Sequence, residues 1–215
     1  MPALALFLDI AEAIVIVAPS NLVLNLQLMW GTRTHLRAAR TLKPFLLAGA
    51  VGAVVGTLLL PFLPDRGLRI VLIVIIVAFL ADKARGKEPA PPGEPMDSDR
   101  FSAGVGFVAG LFQGAAGLAG PIVTSWFISR RLSVEAFVCA VAFAFGLLGA
   151  VQVAVLGVQP SNYGDLIFGL VLVPVALAML PVGARLRGRI DTDLFEKLVL
   201  AILVAGALSL LVRVI

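Results

Sequence analysis

The sequence predicts an all-α, polytopic integral membrane protein. It should have about six spanning helices and one re-entrant glycine-rich hairpin, arranged as two inverted repeats. Three observations lead there. Hydrophobic residues make up 60% of the 215 and charged residues only 14%, where a soluble domain is about half apolar and about a quarter charged. Long stretches carry no Asp, Glu, Lys or Arg at all: 13–32, 44–64, 101–129, 136–164 and 166–184. Finally, the lysines and arginines take a sided distribution only if one of these stretches turns back on itself. The composition excludes an ordinary soluble enzyme, a disordered regulator and a disulfide-rich secreted module. The single Cys139 has no partner for an internal disulfide. Net charge is +4, but the basic residues fill short gaps between apolar runs. That marks cytoplasmic loops rather than a nucleic-acid surface.

A helix needs about 20 apolar residues to cross about 30 Å of hydrocarbon. Seven apolar segments stand out: 3–30, 43–62, 67–84, 101–129, 133–157, 164–185 and 192–214. The first has no basic residue ahead of it, contains Asp9 and Glu12, and outruns the apolar core of a signal peptide, so it counts as structure. The segments at 67–84 and 192–214 have charged flanks whose stems can reach the interface. Between the halves, Lys83–Arg100 is rich in proline and mixed charge, the composition of a solvated tether. The expected organisation is a first repeat over 1–85, a cytoplasmic linker over 86–100 and a second repeat over 101–215.

The segment 101–129 differs from the rest. It carries Gly104, Gly106, Gly110, Gly114, Gly117 and Gly120, followed by Pro121. Glycine costs a helix about 1 kcal/mol relative to alanine, and proline removes a donor. The cluster predicts two short helices with a non-helical join, which membrane depth tolerates only where protein or a water-filled cavity covers it. If 101–129 crosses once, the basic residues divide nine against eight. If it is a hairpin, they divide fourteen against three, with only Arg66, Arg69 and Arg213 on the poor side. The positive-inside rule selects the hairpin, entered from the cytoplasm. Segments before and after it then run in opposite directions, as in inverted-repeat transporters.

Several residues could act on a ligand. A helix that starts at the join offers free N–H groups and about half a positive charge, which suits anions. The candidates there are Gly114, Gly117 and Gly120 for close backbone approach, Pro121 to open the returning helix, and Gln113 and Thr124 on either side. Tight helix packing by small residues is an equal alternative for the glycines. In the first repeat, Pro19 precedes Asn21, Asn25 and Gln27. Asn21 and Asn25 share a helix face, and such amides either line a polar cavity or bond to a neighbouring helix. Asp9 and Glu12, also on one face, are candidates for proton coupling, against the plain alternative of an interfacial position. Gln152 either lines the same cavity or bonds to a neighbouring helix. One histidine and one cysteine build neither a metal site nor a catalytic triad. No cofactor, metal or enzymatic activity is expected.

These segments carry a resemblance. GFVAGLFQGAAGLAGPIV at 106–123 resembles the glycine-rich hairpin of the sulfite exporter TauE/SafE family. APSNLVLNLQ at 18–27 is similar to that family's second-helix signature. The stretches at 48–72 and 180–200 look like its two copies of a helix, short basic turn and next helix. The resemblance spans nearly the whole chain. It implies a multi-pass permease of the bacterial inner membrane with two inverted halves. It also implies export of sulfite, sulfonates or related small organic acids, driven by an ion gradient. By that resemblance the hairpin positions Gly114, Gly117, Gly120 and Pro121, and Pro19, Asn21, Asn25 and Gln27, belong to the functional region. Two departures are notable. Ala115, Ala116 and Ala119 stand where the family has more glycine, and the family pattern places a second hairpin ahead of the first repeat. The expectation is either a longer protein or a shortened member whose homodimer supplies the missing half of the site. A non-transporting membrane scaffold is the rival class, distinguished by indifference to substitution of Asn21 and Asn25.

Overall fold

The computed structural model describes residues 8–35, 42–64, 66–67, 99–130 and 132–187. The spans expected at 67–84 and 192–214, and most of the linker, lie outside the described residues. Among the described residues the fold is helical throughout: α1 (Ile10–Gly31), α2 (Lys43–Leu59), α3 (Asp99–Ala116), α4 (Gly120–Ser129), α5 (Val134–Gly157) and α6 (Tyr163–Arg187). Short 3-10 turns follow α1 and α2 and precede α6. Among the described residues four helical stretches are, by length and composition, long and apolar enough to cross a membrane, at Ala11–Gly31, Lys43–Phe62, Glu135–Gly157 and Pro160–Val182.

Charges and small polar residues set the helix ends. α1 starts at Ile10, with Asp9 as its N-cap and Glu12 in its first turn. Negative charge is favoured there by the helix dipole. Asp9 therefore stands at the exposed end of the span rather than some turns along it. Pro44 occupies the first turn of α2. Ser133 caps α5 by accepting a hydrogen bond from the N–H of Ala136 at 3.3 Å.

Packing contacts give each helix a direction. Gly106, Gly110 and Gly114 of α3 press in turn on the carbonyls of Phe45, Gly49 and Ala53 of α2. The two sets ascend together, so α2 and α3 are parallel. Gly52 and Gly56 meet the carbonyls of Phe107 and Leu111 from the other side. These backbones interlock with no side chain between them. Lipid is as apolar as the helices, so such close packing, rather than water exclusion, drives association. It also explains why α3 stays helical through Gly106, Gly110 and Gly114, with the break confined to Gly117–Ala119.

α5 runs against α1, with Gly149 beside Leu22 and Gly146 beside Leu26. α6 runs with α1: Asp165 shares a cavity with Asp9 and Glu12, and farther along Gly169 meets the carbonyl of Ile16 and its own carbonyl accepts from the Ser20 hydroxyl at 3.3 Å. Leu60 and Pro61, just after α2, share a cavity with Asp9, so α2 rises where α1 descends. Hence α1 opposes α5 and α2 opposes α6.

The segment 101–129 is a hairpin. α3 leaves the end of the bundle marked by Lys43, and α4 returns to it. The rings of Phe101 and Trp126 lie 5.5 Å apart, and those of Phe45 and Phe127 5.2 Å apart. One face of α4, formed by Ala119, Val123 and Phe127, is buried in a cluster with Leu42, Phe45 and Leu46 of the α2 end and Ala140 and Ala144 of α5. Arg100 and Arg130 thus share an end with Lys43, as the fourteen-to-three distribution requires. The sequence expectation puts this end in the cytoplasm.

A labelling experiment checks the sidedness. Cys139 is buried, so the background is low. A cysteine in place of exposed Glu135 should react with an impermeant thiol reagent from the cytoplasmic side, and one in place of exposed Ser161 from the outer side. Labelling of position 135 from the outer side and of position 161 from the cytoplasm contradicts the hairpin.

Candidate functional site

The break between α3 and α4 is built by Gly117, the one described glycine with a positive φ, at 65°. A residue with a Cβ is strained in this left-handed conformation. The N–H of Gly117 donates to the carbonyl of Gln113 at 2.9 Å, which closes the last turn of α3 in a left-handed cap. The chain then passes Leu118 and Ala119 and enters α4. Pro121 lies in the first turn of α4, where its missing N–H costs nothing. The N-cap is Ala119, and no side chain caps this end. The N-cap thus supplies no acceptor to the first-turn N–H groups of Gly120 and Ile122. A Cβ built on Gly120 meets nothing within 4 Å. Among the described residues none lies within 4 Å in that direction, although Gly120 itself is half-buried.

The other end of the break is closed by a neighbour. Gln113 and Gln152 are buried, at 5% and 2% exposure. Gln113 Nε2 donates to Gln152 Oε1 at 3.2 Å. Gln152 Nε2 in turn reaches the carbonyl of Gln113 at 3.0 Å and that of Gly114 at 3.3 Å. The last carbonyls of any helix lack intrahelical partners, and here a side chain from α5 supplies one. Of the two roles weighed for Gln152 from sequence, the structure assigns the interhelical bond.

The expected site residues divide into two groups. Gly117, Gly120 and Pro121 form the tip. Gly114 seats against the carbonyl of Ala53 and against Thr57, so its lack of a Cβ serves packing, and the Gln113 amide is engaged with Gln152. Thr124 Oγ1 donates back to the carbonyl of Gly120 at 2.7 Å. In α1, Asn25 Nδ2 donates to the carbonyl of Asn21 at 2.8 Å, within its own helix. Asn21 and Asn25 are half-buried and Gln27 is exposed. The structure does not bring these three into hydrogen-bond contact with the hairpin.

A second feature lies at the outer end. Asp9, Glu12, Gln159, Ser161, Asn162 and Asp165 line a cavity of about 280 Å³, floored by Val15, Leu60, Pro61 and Leu156. Asp165 was missed from sequence because it stands at the edge of its span. The parallel course of α1 and α6 is the signal that pairs it with Glu12. Among the described residues no group of His, Cys, Asp and Glu could hold a metal ion.

The family profile described as sulfite exporter TauE/SafE matches residues 1–210. This chain belongs to the sulfite exporter TauE/SafE family. No curated protein and no solved structure matches it. Membership makes the chain a member of a membrane transporter family rather than an enzyme family. For a TauE/SafE member, a helix broken at membrane depth is the feature to examine for the solute. In this member the two ends of the break differ: Gln152 bonds to the α3 end, while the α4 end has no side-chain cap and no described residue within 4 Å of a Cβ at Gly120.

Proposed function

We propose that this TauE/SafE member is a permease that exports small anions, sulfite or organosulfonates among them, across the bacterial inner membrane. The observation behind this is the open N-terminus of α4. An anion at membrane depth loses its hydration and needs donors and positive potential in return. Uncapped first-turn N–H groups and the helix dipole offer both without a fixed charge that would hold the anion too tightly. Gly120 lets the anion approach the backbone, and Gly117 sets the turn. Asn21 and Asn25, half-buried on α1, are second-rank candidates for lining the path; Gln27, Gln113 and Thr124 have weaker claims.

The two repeats, 1–85 and 101–215, would alternate access by rocking around the tip. The interlocked glycines of α2 and α3 argue that these helices move as one piece, with motion along their seams to α1, α5 and α6. The carboxylates of Asp9, Glu12 and Asp165 at the outer cavity would repel an anion that has been released there, which favours net outward movement. The same groups are candidates to carry the coupling proton. A homodimer is an additional expectation, in which a second copy completes the path.

The experiment is flux in proteoliposomes with sulfite, sulfoacetate and a simple carboxylate, with and without an imposed pH gradient. Saturable flux of at least one anion is the expected result; no flux from well-folded protein favours the scaffold. Glu12→Gln and Asp9→Asn are expected to abolish stimulation by the pH gradient. Unchanged stimulation in both would remove these carboxylates from the coupling.

A further inference from the structure

We propose that Gln152 is the positioning residue of the hairpin tip: from α5 it ties down the end of α3 and thereby sets where the open N-terminus of α4 lies. Three facts combine. The break leaves the last turn of α3 short of donors: the Gln113 carbonyl keeps the Gly117 N–H, and among the described residues that of Gly114 accepts from no backbone N–H across the break. The Gln152 amide meets both carbonyls, those of Gln113 and Gly114, and completes the set by accepting from the Gln113 side chain. The carbonyl of Gln113 also accepts the Gly117 N–H that closes the turn. One side chain on α5 thus holds the very atoms on which the left-handed turn is built.

The orientation of the Gln152 amide is determined by this set. Reversing it would face its oxygen toward two carbonyl oxygens and its NH₂ toward the Gln113 NH₂. The tie also has a particular place in the fold. The rest of α3 is locked to α2 through interdigitated backbones, which offer no adjustable contact. The Gln113–Gln152 pair crosses from that unit to α5 and is polar, so it can be released and remade as the two sides shift. Its consequence for transport rests on the function proposed above, but the tie itself does not.

The test reads the tip directly. A cysteine at position 120, where a Cβ meets no described residue within 4 Å, reports tip exposure through its rate of reaction with a water-soluble thiol reagent. It is introduced with Cys139→Ala, and rates are taken relative to the Gly120→Cys parent at each pH, which cancels the titration of the thiol. Gln152→Leu has no donor and should raise the relative rate severalfold at every pH. Gln152→Glu is the sharper variant. Its neutral carboxyl donates one hydrogen bond to the freed carbonyls, whereas its ionised form has only acceptors facing them. The Gln113 side chain and the two carbonyls that surround it do not titrate. The relative rate should therefore be near the parent's at low pH and rise as pH increases. Should Gln152→Leu not fold, Gln152→Glu recovered at low pH carries the test alone. A flat relative rate equal to the parent's in Gln152→Glu overturns the proposal, whether or not the protein transports anything.

Discussion

Gly110→Ala is expected to lower the melting temperature of the purified protein by several degrees, and Gly110→Leu to prevent its recovery in folded form. The Cβ of the alanine would fall on the carbonyl of Gly49 and beside the backbone N of Ala53. Neither is the end of a flexible side chain. α2 and α3 must move apart along their length, and the contacts of Gly106 and Gly114 loosen with them. Overpacking of a close-packed interior costs about 1–3 kcal/mol, and backbone against backbone lies at the upper end. For a chain of this size each kcal/mol is about 2–4 °C. Gly104→Ala is the matched control. It is in the same helix, two residues from Gly106, and a Cβ there meets nothing within 4 Å. It removes a glycine from a helix interior, which favours the helix by about 1 kcal/mol. Its melting temperature should be unchanged or higher. Equal behaviour of the two variants would mean that α2 and α3 do not interlock.

Gly120→Leu is expected to do the opposite: to leave the fold intact and abolish transport. Among the described residues nothing lies within 4 Å of a Cβ at Gly120, and its backbone is not left-handed, so a side chain there is expected to be tolerated. The new side chain covers the first turn of α4 and excludes an anion from the N–H groups of Gly120 and Ile122. A hydrogen bond to a charged group contributes about 1.5–3 kcal/mol. Loss of even one corresponds to at least about a tenfold fall in affinity, since about 1.4 kcal/mol is tenfold. Gly117→Leu, by contrast, strains the turn itself and would lower stability and transport together.

The break and its direction were legible in the sequence. Gly117, Gly120 and Pro121 lie close together, and each has a local meaning that no tertiary contact overrides. The hairpin was legible from a different source, the count of basic residues, because a single crossing erases the sided bias. What the sequence did not carry was partnership. Gly106, Gly110 and Gly114 recur every fourth residue, but the spacing names a face and not its neighbour. Whether that face meets a ligand or the carbonyls of α2 depends on the crossing of two helices far apart in the chain. The same holds for Gln113 and Gln152. An amide in an apolar helix must find a partner, but 39 residues separate these two, and local pattern does not connect them. Asp165 was hidden for a related reason: it gains meaning only when α6 is laid parallel to α1.

The α1 amides show the limit from the other side. Asn21 and Asn25 converge in sequence, yet their hydrogen bond is internal to the helix. A shared face was correctly read, and a shared task does not follow from it. The tip therefore rests on the hairpin backbone, and the central claim is that this backbone, open at Gly120, receives the anion.

The most direct test is sulfite uptake into proteoliposomes by the unaltered protein and by Gly120→Leu, side by side, with matched melting temperatures and matched incorporation. The predicted result is saturable uptake by the former and uptake at the level of empty liposomes by the latter. Equal saturable uptake by both would contradict the placement of the anion at the α4 N-terminus.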